Sequence, residues 1–90
     1  MIPVDFVLHQ NTPNPFNPTT QINYQLPVVG NVQLAIYNVR GQLVETLVNE
    51  SQNPGYYSVS FDGSGYSSGV YFYRLSTPEF QNVKKMVLLQ

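Results

Sequence analysis

Apolar and polar residues alternate along most of the chain, a repeat of two that is typical of β-strands with one buried and one exposed face. Three stretches show it most clearly, with apolar sets Ile22, Tyr24 and Leu26; Val32, Leu34 and Ile36; and Tyr57, Val59 and Phe61. Phe6 and Leu8 indicate an opening strand before them. We therefore predict a β-sheet protein whose strands each turn one face to a core.

Turn residues separate these stretches. Asn38-Val39-Arg40-Gly41 suits a type I turn that closes through a left-handed glycine, and Pro54-Gly55 is a second turn dipeptide. Residues 42–48 also have helical spacing, but so short a helix is unstable alone, so we predict a strand with a bulge. With about seven strands and turn signals about every 8–12 residues, the expected fold is an all-β, immunoglobulin-like or fibronectin-like antiparallel β-sandwich.

Composition narrows the classes of partner. The 90 residues have no cysteine, a net charge of −1 and only 10% charged residues, against about 25% in an average protein. Four basic residues are too few for a phosphate-binding patch, so we expect no nucleic-acid partner. No apolar run reaches the ~18 residues of a membrane span, and the start lacks a signal-peptide pattern. We interpret Met1 as a start residue added to a fragment of a longer protein.

The proline segment, residues 13–19, is the most unusual connection. Its members are Pro13, Asn14, Pro15, Phe16, Asn17, Pro18 and Thr19. The prolines fix their own φ and favour extended neighbours, and the asparagines can close Asx turns. Phe16 is predicted to anchor the segment in the core. Two interpretations stay open: a stiff connection between strands, or a recognition surface of rigid backbone that makes no hydrogen bonds.

A search for chemistry yields no catalytic group. His9 is the single histidine, no nucleophile-elbow sequence occurs, and the acidic residues are scattered. We therefore predict that the protein is not an enzyme and has no cofactor and no metal site. Asp62-Gly63-Ser64-Gly65 leaves a calcium ion held by backbone carbonyls as an open alternative.

The aromatic run from Tyr71 to Tyr73 offers another alternative. In a strand, Tyr71, Tyr73 and Leu75 share one face, which we assign to the core. The other face carries Phe72 and Arg74. With Tyr56 nearby, that face would make a sugar-stacking platform; ordinary half-exposed aromatic residues are the competing interpretation.

The last stretch lacks the alternation. Lys84-Lys85 precedes four consecutive apolar residues, Met86 to Leu89, so a strand here has two apolar faces. Such a strand is either central in its sheet or has an outer face that another molecule covers. We expect a partner to read this strand by adding a strand of its own to the open edge. Weak homodimerisation through the same strand stays open.

In order along the chain, several motifs resemble the type A C-terminal sorting domain of type IX secretion system cargo proteins, the Por secretion system tail domain of Bacteroidetes. The matching pieces are Leu8-His9-Gln10-Asn11, the proline segment, Ile22 to Pro27, Ile36-Tyr37-Asn38, Gly41-Gln42, Gly55-Tyr56-Tyr57, Asp62-Gly63, Ser68 to Leu75 and Lys84-Lys85-Met86. The resemblance covers about residues 8–90, and we expect 1–90 to be a single domain. Phe61 stands where the family often has tryptophan, and the loop 63–69 is shorter than usual.

The resemblance implies a non-catalytic signal. The family's domain follows a cargo protein that reaches the periplasm, is recognised there by the outer-membrane translocon, and is secreted or attached to the cell surface. A sortase-like surface peptidase commonly removes the domain. The positions implied for recognition are Gly69, Val70, Tyr71, Lys84, Lys85, Met86, Val87 and Leu88, and the proline segment marks the domain's start. The alternatives are a β-sandwich for carbohydrate binding or cell attachment, and a purely structural spacer.

Overall fold

The computed structural model describes residues 2–90 and places seven strands in them. Their bounds are β1 (Val7–Leu8), β2 (Thr19–Leu26), β3 (Gly30–Tyr37), β4 (Leu43–Gln52), β5 (Gly55–Asp62), β6 (Gly69–Ser76) and β7 (Gln81–Leu88). All pairings between these strands are antiparallel. The all-β prediction of about seven strands is confirmed.

The strands form two sheets that face each other. Sheet A has the order β1-β2-β5, and sheet B has the order β4-β3-β6-β7. Consecutive strands β3 and β4 pair as a hairpin, whereas β2 pairs with β5 and β3 with β6, so the chain crosses between the sheets. This arrangement is a β-sandwich of the immunoglobulin-like kind.

The core consists of the inward side chains of both sheets, as the alternation predicts. The large ones with at most 1% exposure are Ile22, Tyr24, Leu26, Leu34, Ile36, Phe61, Tyr73, Leu75, Met86 and Leu88, and Phe16 joins them from the proline segment. Aromatic rings supply much of the packing, including a stacked pair of Tyr24 and Tyr57 with ring centres 5.3 Å apart. Because the chain has no cysteine and so no disulfides, burial of such rings is a main source of its stability.

The turn and the bulge take their predicted forms. Gly41 has a φ of 79°, and its N–H donates to the Asn38 carbonyl at 3.0 Å, so glycine meets the left-handed requirement of the turn. Residues 43–52 form β4, and its register with β3 shifts between Leu34 and Ala35 and again between Ile36 and Tyr37. Those irregularities explain why the spacing in this segment departs from a strict repeat of two.

Two buried tyrosines make the fold sensitive to alkali. Burial raises the pKa of Tyr24 and of Tyr73 to about 12, against an ordinary value of 10.0. Because the unfolded chain loses these protons at lower pH, stability is fully present below pH 10 and falls as pH rises towards 12. Each tyrosine is expected to contribute about 1.4 kcal/mol per pH unit to that fall.

Urea denaturation across this pH range measures the slope. Tyr73→Phe and Tyr24→Phe are each expected to flatten it, because phenylalanine has no proton to lose. If the slope of the wild-type chain persisted in both variants, other groups would be responsible for the alkaline transition.

Candidate recognition surface

Strand β7 forms the edge of sheet B beyond β6. Its register places Leu88 opposite Gly69, Val87 opposite Val70 and Met86 opposite Tyr71. Two groups of residues that the sequence predicts for recognition, separated by about a dozen positions along the chain, are therefore direct neighbours in space. Cross-strand neighbours of this kind present a continuous surface.

The proline segment lies along the other side of β7. Phe16 N–H donates to the Val87 carbonyl at 2.9 Å, and Leu89 N–H donates to the Phe16 carbonyl at 2.8 Å. The side-chain Oδ1 of Asn14 accepts the N–H of Val87 at 3.0 Å. The peptide bonds that precede Pro13, Pro15 and Pro18 are cis. All three sets of predicted site residues thus meet around one strand end.

These contacts correct two expectations. The backbone of the proline segment is not free of hydrogen bonds, because Phe16 bonds to β7 through both its N–H and its carbonyl. The edge of β7 at residues 87–89 is also not open, because the same bonds occupy the groups that an added strand would use. A second copy of the chain would have to displace Phe16 and Asn14 to pair there.

Phe16 is the anchor that the sequence predicts. Its side chain is 1% exposed, and its ring meets Phe61 edge-on with centroids 6.0 Å apart. A β-carbon added to Gly63 would lie 3.3 Å from the Phe16 ring and 3.0 Å from Leu88, so glycine allows this close approach. Around the anchor, Pro13, Asn14, Pro15, Asn17 and Thr19 are exposed and Pro18 is half-buried.

Burial divides the predicted recognition residues into two groups. Tyr71, Met86 and Leu88 point into the core, with exposures of 9%, 0% and 0%. These three side chains offer almost no surface to a partner while the domain is folded, and their packing holds β6 and β7 in place. Val70 and Val87 are half-buried on the opposite, outer face of sheet B, and Lys85 is exposed there.

The two lysines, adjacent in sequence, lie on opposite faces of β7. Lys85 pairs with Phe72 on the outer face, whereas Lys84 pairs with the buried Tyr73 and therefore lies on the inner face. Because successive residues of a strand alternate between faces, only Lys85 belongs to the outer surface. The two lysines therefore do not form one basic patch.

The outer surface of β6 and β7, here called the β6–β7 face, is apolar with a few cationic groups. It comprises Val70, Phe72, Arg74, Val83, Lys85 and Val87. Val83 is 48% exposed, although it is apolar. Beside it, the guanidinium of Arg74 lies 4.9 Å from the Tyr37 ring centre and donates to the Tyr37 hydroxyl at 2.6 Å. This stacking fixes a cation at the side of a shallow hollow of about 300 Å³.

Sequence reasoning missed a polar network that fastens the proline segment. Asn11 is 2% exposed, and its Nδ2 donates to the Pro13 carbonyl at 3.2 Å and to Thr20 Oγ1 at 3.1 Å. Its backbone N–H donates to the Tyr73 hydroxyl at 2.8 Å, and that hydroxyl donates to the His9 carbonyl at 2.7 Å. Asn11 lies two residues before Pro13 and belongs to one of the motifs that carry the resemblance, but neither feature distinguishes a buried network from an exposed turn.

The expected aromatic platform is corrected by topology. Phe72 is on β6 of sheet B, whereas Tyr56 is on β5 of sheet A, so the two rings do not share a face. At the end of β5, Asp62 Oδ1 accepts the N–H of Ser64 at 2.9 Å, and this bond lowers the pKa of the carboxyl. That contact is an Asx turn, the ordinary role of aspartate before glycine.

Within residues 2–90, no group of three or more His, Asp or Glu side chains is arranged to hold a metal ion. Nor does that part of the chain form a helix long and apolar enough to cross a membrane.

A comparison with protein families gives one match. The family model described as a secretion system C-terminal sorting domain matches residues 12–89, which is nearly the whole chain. No curated protein matches the sequence. The matched range includes the proline segment and all of β6 and β7, the elements that surround the β6–β7 face.

Proposed function

This chain belongs to the family of secretion system C-terminal sorting domains, and from that membership we propose that residues 1–90 form one sorting domain whose face is read by the type IX outer-membrane translocon. The family is a type IX secretion signal, which implies an attached cargo protein and a secreted or cell-surface destination. Such domains are generally non-catalytic, and we assign no catalytic role to this one. After export, a sortase-like peptidase removes the domain, and the cargo is attached to the surface or released.

The observation that carries the mode of recognition is the β6–β7 face. Soluble domains seldom expose several apolar side chains together unless another molecule covers them. Here Val83 is 48% exposed, and the half-buried Val70, Phe72 and Val87 lie on the same surface around Lys85. A partner can bury apolar surface against the valines, and the charge of Lys85 can orient it by attracting an acidic group.

Recognition by strand addition is not the proposed mode, because Phe16 and Asn14 occupy the edge of β7 at Val87 and Leu89. The buried residues Tyr71, Met86 and Leu88 keep β6 and β7 in register beneath the face. Gly69, with a φ of 151°, begins β6 in a conformation that other residues rarely adopt. The proline segment closes the edge and thereby directs a partner to the face.

Charge reversal at the two adjacent lysines tests this proposal. In a fluorescent reporter carrying the domain at its C-terminus, Lys85→Glu is expected to reduce export at least about fivefold, the effect of losing about 1 kcal/mol of binding. Lys84→Glu makes the same change in net charge on the inner face and is expected to leave export near the wild-type value. Fluorescence of the culture medium and of the periplasm measures export in a host that has this secretion system.

Both variants should unfold at similar temperatures, which excludes a difference in stability as the cause. Equal loss of export in the two variants would contradict recognition by the outer face while leaving a sorting role intact. Export of the reporter without the domain would argue against a sorting role altogether.

A further inference from the structure

The outer face of sheet A has a chemistry unlike that of the β6–β7 face. It carries a row of amides and hydroxyls, alternating with the buried side chains of β2 and β5, and these are Gln21, Asn23, Gln25, Ser58 and Ser60. Across this face runs an open groove of about 670 Å³, more than twice the volume of the hollow beside Arg74. We propose that this groove binds a neutral oligosaccharide chain.

The lining of the groove favours an uncharged, hydroxyl-rich ligand. The groove is lined by residues with polar side chains, among them His9, Thr12, Asn23 and Ser58, and by Gln10, whose amide instead donates to Asn11 and to the Lys85 carbonyl. No Asp, Glu, Lys or Arg lines it. Amides and hydroxyls can each donate and accept hydrogen bonds, as sugar hydroxyls do. A phosphate or carboxylate ligand would call for Arg or Lys, and a bound cation would call for carboxylates.

Tyr56 supplies the apolar part of the site. Its side chain is 59% exposed at the groove, opposite Gln25 in the register of β2 and β5. A sugar ring presents C–H groups on its faces and hydroxyls around its rim, so a tyrosine ring beside amides matches both parts of it. A peptide ligand does not specifically require a tyrosine ring beside amides in a groove without charged residues.

The base of the groove is held in shape before any ligand arrives. Tyr24 and Tyr57 lie beneath it, with their rings 5.3 Å apart and nearly parallel at 12°. The Tyr24 hydroxyl donates to Gln52 at 2.7 Å, and the Tyr57 hydroxyl donates to the Asn53 carbonyl at 2.6 Å. A site formed in advance loses little conformational entropy on binding, which favours weakly binding ligands such as sugars.

The site is separate from the proposed recognition surface, because the groove is on sheet A and the β6–β7 face is on sheet B. A domain with both surfaces could hold a glycan while the secretion machinery contacts the other side. The two functions can therefore be removed independently by substitution.

Titration of the 90-residue chain with cellohexaose, laminarihexaose and mannohexaose tests the proposal, with hexagalacturonate as an acidic comparison. Amide proton–nitrogen correlation spectra report the site, and we expect shifts of Asn23 and Ser58 with at least one neutral probe. Tyr56→Ala should weaken that binding about tenfold, whereas Phe72→Ala, the same kind of truncation on sheet B, should leave it unchanged.

Absence of shifts with all three neutral probes at about 10 mM, a concentration that reveals even millimolar affinity, would overturn the proposal. Equal weakening by Tyr56→Ala and Phe72→Ala would also overturn it, as would tighter binding of hexagalacturonate. Export of the reporter fusion with Tyr56→Ala is expected to match the wild type, which separates this site from the sorting function.

Discussion

Replacement of Phe16 by alanine is expected to lower the free energy of unfolding by about 3–5 kcal/mol, the usual range for a fully buried phenylalanine. The ring is 1% exposed and meets Phe61 edge-on, in the corner where the proline segment, β7 and the loop at Gly63 converge. Because the Phe16 backbone is hydrogen-bonded to Val87 and Leu89, the segment cannot move inward to fill the cavity. Truncation therefore combines lost burial with an unfilled void.

Urea and thermal denaturation measure this loss. For a domain of this size each kcal/mol corresponds to about 4–8 °C in Tm. Phe72→Ala is the matched control, since it removes the same ring from a half-exposed position on the β6–β7 face and should lower stability by less than about 1.5 kcal/mol. Equal losses in both variants would show that Phe16 is not an anchor.

The same pair separates folding from recognition. Export of a reporter carrying Phe16→Ala is expected to fall because the destabilised domain is unfolded more often. Export with Phe72→Ala is expected to fall while the domain stays folded, because the contact surface is altered. Full export with Phe72→Ala would show that the Phe72 ring is not part of the recognition surface.

Asn11→Asp is expected to destabilise the fold by about 2–4 kcal/mol at pH 7 with almost no change in shape. The Nδ2 of Asn11 donates to the Pro13 carbonyl and to Thr20 Oγ1, and the Thr20 hydroxyl donates to the same carbonyl at 2.9 Å. The introduced carboxylate would place a negative oxygen against that carbonyl in a site that is 2% exposed. Both the burial and the facing oxygen would raise its pKa.

The pH dependence of the unfolding free energy shows whether the buried carboxylate causes the loss of stability. With a folded pKa above the unfolded value near 3.9, the variant is most stable below about pH 4. It then loses up to about 1.4 kcal/mol per pH unit until the folded pKa is passed. Urea denaturation of the variant and the wild type over this range measures the difference.

Asn14→Asp is a control for which the expected pKa shift, and hence the pH dependence of stability, has the opposite sign. Asn14 is exposed, and its Oδ1 accepts the N–H of Val87, a contact that a carboxylate strengthens. The folded pKa is then depressed, so the contribution to stability is present above about pH 4 and lost as pH falls. Parallel pH profiles for the two variants would show that burial of Asn11 is not the cause.

Only part of the candidate site could be predicted from the sequence. The sequence indicated residues 69–71, residues 84–88 and the proline segment as separate motifs, and it placed Phe16 in the core. It did not indicate that Phe16 and Asn14 already occupy the edge of β7 at Val87 and Leu89, where strand addition was expected. It also grouped Phe72 with Tyr56, which the topology places on different sheets.

By itself, the sequence determined the class of fold, the inward face of most strands and the turn at Gly41. These features depend on residues within a few positions of each other, because side chains alternate along a strand and a left-handed turn requires glycine. Tertiary structure alone decided which strand lies beside which, and hence which surfaces exist. Asn14 meets Val87, and Asn11 meets Tyr73, across more than 60 positions of chain. Such contacts depend on the packing of the whole sandwich, which no local spacing encodes.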